Sequence, residues 1–177
     1  LEHAKRGKLL SKDQFSVDGT LIQSWASLKS FKPKNDDQEP PSGKNPTRDY
    51  QGEKLTNDTH ASSTDPEARL YRKGINHEPR LSFAAHLLTE NQNGLVMTSA
   101  VTIADGFAER ETAKVMIAKV APRKRRISIA ADKNYDTRGI RSWCNRHNIE
   151  CLILRKGKRN KPLTKEEIIE NKMLSKK

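Results

Sequence analysis

Cysteine is nearly absent from this chain: Cys144 and Cys151 are the two among 177 residues. Two thiols cannot staple a disulfide scaffold, so the fold must rest on a hydrophobic core in a reducing compartment. Long apolar runs are missing as well, which excludes a membrane-spanning helix, and no secretory signal is visible. Hydrophobic residues make up 33% and the mean hydropathy is −0.88, so part of the chain is not expected to pack. No internal repeat occurs, and no GxxxxGK loop is present to cradle a nucleotide phosphate. The first residues, "LEHAKRGKLL", lack a Met and read as the start of a fragment.

Positive charge is plentiful but confined. Residues 1–118 hold 16 Lys+Arg and 16 Asp+Glu, whereas residues 119–177 hold 18 against 6, which accounts for the whole net charge of +12. The densest stretches are "RKRR" (Arg123, Lys124, Arg125, Arg126) and "RKGKRNK" (Arg155, Lys156, Lys158, Arg159, Lys161). Arg69, Arg72 and Lys73 form a smaller group earlier in the chain. A surplus localised in this way points to a polyanion, most simply nucleic acid; a solvated basic face is the plainer reading.

Alternation of apolar and polar residues predicts a strand over Gln14–Ile22, with Gly19 inside it marking a bulge or close backbone approach. A long polar stretch follows, residues 24–80, of which 32–47 carry no apolar residue and are expected to be disordered. Leu81–Thr89 and Leu95–Ile103 read as a hairpin through Asn93-Gly94. Asp105 is placed to cap a helix burying Ala113, Met116, Ile117 and Val120. A buried strand ending on Asp132 comes next, then a helix capped by Thr137 with Ile140, Trp143 and Cys144 inward. "ECLIL", Glu150–Leu154, is a short strand, and Thr164 with Glu167 forms a capping box for a last helix that brings Ile169 and Met173 together. The implied architecture is α/β: a mixed five-stranded sheet flanked by helices in a single domain, residues 1–177, with a long polar insertion after the first strand.

If the strand ending at Asp132 lies beside the first strand, Asp18 and Asp132 meet. Two facing carboxylates repel and need a proton or a cation between them. Hard ions such as Mg²⁺ take carboxylate oxygens and keep open positions for a phosphate, and a pair of such ions can drive phosphodiester chemistry. Capping or turn roles for both aspartates are the alternative.

Five blocks in order, "FSVDGTLIQSWASLKSF", "THASSTDPEARLYRKG", "HLLTENQNGLV", "AVTIADGFAERE" and "ADKNYDT", make the chain resemble bacterial insertion-sequence transposases of the DDE class over nearly its whole length. The resemblance implies a ribonuclease-H-like fold, dependence on Mg²⁺ or Mn²⁺, and cleavage and joining of DNA at transposon ends. It implies that Asp18 and Asp132 are the first and second catalytic aspartates and the metal ligands, and that DNA, at transposon ends and target, is the partner. It also implies a bacterial cytoplasmic, nucleoid-associated protein that works as a homodimer when intact. Tyr135 and Asp136 share the second block without an assigned step. Such enzymes add a Glu on a late helix; here that helix starts at 164 and is cut short, and the region reading transposon ends is missing too. Glu166, Glu167 and Glu170 fall in its first turns, where capping and solvation are expected of them. The fragment is therefore expected to be inactive alone.

Two other functions compete: a non-enzymatic DNA-binding remnant carried by the basic third, and a structure-specific nuclease on the same fold. Cys144, His147 and Cys151 offer three soft ligands where structural zinc wants four, so core packing is expected of the cysteines. His60, His77 and His86 lack metal-type spacing, and hydrogen-bonding roles are expected of His60 and His86.

Overall fold

A computed structural model describes residues 2–34, 55–72, 74, 77–120, 125–158 and 160–176. Its helices are α1 (Glu2–Arg6), α2 (Ala108–Val120), α3 (Arg138–Arg146) and α4 (Lys165–Leu174). Its strands are β1 (Gln14–Gln23), β2 (Phe31–Pro33), β3 (His60–Ser62), β4 (Arg69–Tyr71), β5 (Arg80–Glu90), β6 (Val96–Ile103), β7 (Ile127–Ala131) and β8 (Ile149–Cys151). The main sheet is mixed, in the order β4-β5-β1-β7-β8 with β6 on β5, and β2 and β3 form a separate antiparallel pair. This mixed α/β arrangement with flanking helices is compatible with a ribonuclease-H-like fold. The sheet has six strands rather than the expected five. The addition is β4, three residues whose pairing with β5 no alternation pattern of that length can announce. No helix among the described residues is long and apolar enough to cross a membrane.

The chain divides into two compact units. The first comprises residues 1–19, 86–100 and 109–177. In it β1, β7 and β8 run parallel, with Phe15 opposite Ile129 and Ile127 opposite Ile149. Strict alternation buries Phe15, Val17, Ile127 and Ile129 on one face, where Ala113, Met116 and Ile117 of α2 and Ile140 and Cys144 of α3 join them. Those helical positions recur every three or four residues, so each helix buries one stripe. Thr137 Oγ1 accepts from the Ile140 N–H and starts α3. Thr164 and Glu167 close the expected capping box on α4. That helix buries none of its residues, and Ile169 and Met173 stay exposed. The strand expected over Glu150–Leu154 is shorter: β8 stops at Cys151, after which the Leu152 N–H still reaches the Ile129 carbonyl.

Glu90 closes the β5–β6 connection in the same unit. Its buried carboxylate accepts from the N–H groups of Ser11, Gln92, Asn93 and Leu95, at 2.8–3.2 Å. Burial alone would raise its pKa, yet these donors together hold it below the usual range. Gly94, at φ 69°, supplies the left-handed residue the tight return needs.

The second unit, residues 20–85 and 101–108, has its own small core of Ala26, Phe31, Ala68 and Leu81. Much of the expected polar insertion, 24–80, is therefore organised structure. Lys32 and Pro33 belong to β2, while residues 35–47 of the expected disordered stretch lie outside the described residues. Short polar ties replace apolar bulk here. The Ser24 hydroxyl donates to Asp65 at 2.5 Å, and the Asn57 amide bridges the N–H and carbonyl of Leu70. His60 stacks on Phe31 and bonds Thr59, a structural role. Asp105 accepts from the N–H groups of Phe107 and Ala108, capping α2 as expected.

Candidate functional site

The last register pair between β1 and β7 is Val17 with Ala131; the next residues are Asp18, still within β1, and Asp132, just past the end of β7. Parallel neighbours are about 4.8 Å apart, so the two backbones run close where these acids begin. Both aspartates are exposed. Asp132 precedes a 3₁₀ turn, Lys133–Tyr135, but its carboxylate caps nothing there. It accepts instead from the Asn134 side-chain amide at 2.7 Å. Among the described residues, Asp18 accepts from the N–H of Gly19, at 2.8 Å. The capping alternative therefore finds no support at Asp132.

Two further groups close on the pair. Gly19 lies so near Glu109 of α2 that a methyl on its Cα would sit 2.4 Å from Glu109 Oε1. Tyr135 is 2% exposed, and its hydroxyl has no partner at hydrogen-bonding geometry. Burial, then the charge of Glu109 and a hydrogen-bonding approach of its side chain, then the charges of Asp18 and Asp132, push the phenol far above its ordinary pKa. His86, also buried, is held below the ordinary histidine range by desolvation, with Glu109 opposing. Among the described residues, no three His, Cys, Asp or Glu side chains converge closely enough to ligate one metal ion. Sequence reasoning missed Glu109, since an acid in the first turn of a helix looks like a dipole partner. Gly19 was the available signal: a glycine within a strand announces a close approach.

A basic groove of about 950 Å³ adjoins Asn134 and Asp136. Arg155, Lys156, Lys158 and Lys161 line it, as the charge map suggested, together with Arg110, Arg138, Arg141 and Arg146. Eight basic side chains face two acidic ones, Asp136 and Glu167, a composition suited to a phosphate backbone. The α3 contribution was legible as a stripe, since Arg138, Arg141, Ser142, Asn145 and Arg146 recur at helical spacing. Asp136 fastens the groove. It bonds Arg141 at 2.5 Å and accepts from the Lys156 backbone N–H at 2.7 Å. Arg141 also donates to the Ile153 carbonyl at 2.8 Å. Asn134, which holds Asp132, accepts in turn from the Lys156 ammonium.

Arg125 pairs with Asp13 at 2.6 Å in an exposed bridge, and Arg126 is exposed. Arg69, in the second unit, donates to the Pro66 carbonyl at 2.7 Å, and Arg72 is exposed. Lys73, Arg123, Lys124 and Arg159 lie outside the described residues. Glu167 is occupied in its capping box, and Glu170 pairs with Arg155 at 2.9 Å. Cys144 is buried in the core and Cys151 packs against that core, the role expected of the cysteines. His147 stacks on Trp143 rather than joining them.

A model of the transposase DDE domain matches residues 32–177, a span that includes Asp132 and the basic groove and begins after Asp18. A search of curated proteins found no match.

Proposed function

Because the chain belongs to the transposase DDE domain family, we propose that it cuts and joins DNA at the ends of a mobile element, with Asp18 and Asp132 holding a divalent cation. The supporting observation is the β1–β7 register, whose last pair, Val17 with Ala131, stands directly before two acids 114 positions apart in sequence. The donor set fits Mg²⁺ or Mn²⁺: two hard carboxylates without an ion-pair partner among the described residues, beside a buried hydroxyl that lacks a partner. Such a cation, when bound, supplies positive charge at a phosphodiester and acidifies a bound water.

The chain's own residues account for the rest of the proposed reaction. Arg155, Lys156, Lys158 and Lys161 hold the phosphate backbone in the groove. Asn134 fixes the direction of the Asp132 carboxylate, and Asp136 with Arg141 anchors the segment that carries Lys156. The chemistry is in-line displacement at phosphorus without a covalent enzyme intermediate. Water first breaks a P–O bond at the element's end, and the freed 3′-hydroxyl then attacks the target strand. Two copies act together on the two ends. With Glu167 and Glu170 engaged within α4 and its ion pairs, residues 1–177 alone are expected to cleave poorly.

Nicking of end-containing duplex with Mn²⁺ tests the proposal. Slow cleavage that vanishes in both Asp18→Ala and Asp132→Ala, while DNA binding persists, supports it. Cleavage unchanged by either substitution overturns it. Robust wild-type cleavage would refute the expected weakness of this chain alone.

A further inference from the structure

Glu109 is absent from the pair of aspartates the sequence suggests, yet the fold makes specific room for it. Any side chain at position 19 would collide with its carboxylate, at 2.4 Å to Oε1 and 3.1 Å to Cδ from an added methyl. Position 19 follows Asp18 directly. The Tyr135 hydroxyl is the second observation. It is buried, makes no hydrogen bond of good geometry, and is influenced by Glu109 more strongly than by Asp18 or Asp132. A buried hydroxyl left at poor geometry beside the Glu109 carboxylate costs about 1–3 kcal/mol, and a water between the two would satisfy both groups.

None of Asp18, Glu109 and Asp132 has an ion-pair partner among the described residues. The three do not converge closely enough to share one cation directly. We infer that Glu109 and Tyr135 are a positioning pair that grips, by hydrogen bonds, the water shell of a hydrated divalent cation carried by Asp18 and Asp132. The inference rests on the proposed cation-binding role of the two aspartates. Bound water gives the phenol the acceptor it lacks, and gives Glu109 a donor without removing it from the face it shares with Gly19. Groups that orient a metal's ligands through hydrogen bonds carry a large part of metal affinity.

Mn²⁺ binding to the full 177-residue chain, followed by the loss of free-ion electron spin resonance signal, tests this together with water-proton relaxation by the bound ion. Asp18→Asn and Asp132→Asn are expected to abolish saturable binding. Glu109→Gln and Tyr135→Phe are each expected to weaken it by about tenfold and to change the relaxation enhancement. Gly19→Ala keeps every charge but pushes the Glu109 carboxylate aside, and it should reproduce the Glu109→Gln result. Because only the flexible end of Glu109 must move, this variant is expected to fold with a wild-type urea midpoint. If the aspartate variants lose binding while Glu109→Gln, Tyr135→Phe and Gly19→Ala keep wild-type affinity and relaxation, the positioning role is wrong and the aspartate site stands. If the wild-type chain shows no saturable binding, or the aspartate variants bind as it does, both readings fall.

Discussion

Replacing Asp136 by Ala should cost more stability than replacing either exposed aspartate. Asp136 and Arg141 are 11% and 15% exposed at their side chains and meet at 2.5 Å. Removing one member of such a pair leaves the other charge buried and uncompensated, at a cost of about 3–5 kcal/mol. Arg141 would keep the Ile153 carbonyl at 2.8 Å, and Glu170 remains 3.8 Å away, so the lower end applies. The Lys156 N–H would also lose its acceptor. The expected loss is thus about 3 kcal/mol by urea denaturation. Pairing the change with Arg141→Met should give a double variant less damaged than the two single costs combined, by about 1–3 kcal/mol. A loss below about 0.5 kcal/mol for Asp136→Ala, or strictly additive costs, would refute the view that this pair pins the basic segment.

Other outcomes follow from the same structure. Glu90→Gln should destabilise the chain by about 2 kcal/mol, because four N–H donors lose a charged acceptor, and urea unfolding will show it. Because the Glu90 pKa is lower in the folded state, its contribution is complete above the ordinary glutamate range and is lost as pH falls through the depressed value; a pH series of urea midpoints should show this acid-side decline shrink in Glu90→Gln. Thr164→Ala should remove about 1 kcal/mol from α4, a helix with no buried residue, and hydrogen exchange should report faster opening there than elsewhere. Replacing Lys156, Lys158 and Lys161 by Gln should each reduce the salt slope of DNA binding by about one, measured by fluorescence anisotropy over a KCl series. An unchanged slope would remove the groove from the binding surface.

The strands that carry the paired aspartates were legible because alternation is local: Phe15 and Val17, then Ile127 and Ile129, declare one buried face each. The caps at Asp105, Thr137 and Thr164 were legible for the same reason, each needing only a side chain two or three residues from its donor. What escaped depends on contacts between distant segments. Glu90 resembles any acid before a turn until Ser11, 79 positions away, donates to it. Asp136 and Arg141 look like neighbours on a helix end, and nothing local shows that they also hold Ile153 and Lys156. β4 has three half-buried residues and no pattern to read. Glu109 was hidden because its significance comes from an empty space at residue 19, where the sequence records a missing side chain and not what fills the gap.

Asn134 has a single amide, and both of its ends are taken. The oxygen faces an ammonium and the nitrogen faces a carboxylate, so a flip would set like against like on both sides. The amide is therefore a lever with a fixed orientation, loaded by Lys156 at one end and Asp132 at the other. On the proposed reading, a phosphate drawn to Lys156 would compete with Asn134 for its ammonium, and the Asp132 carboxylate is the next group in that chain.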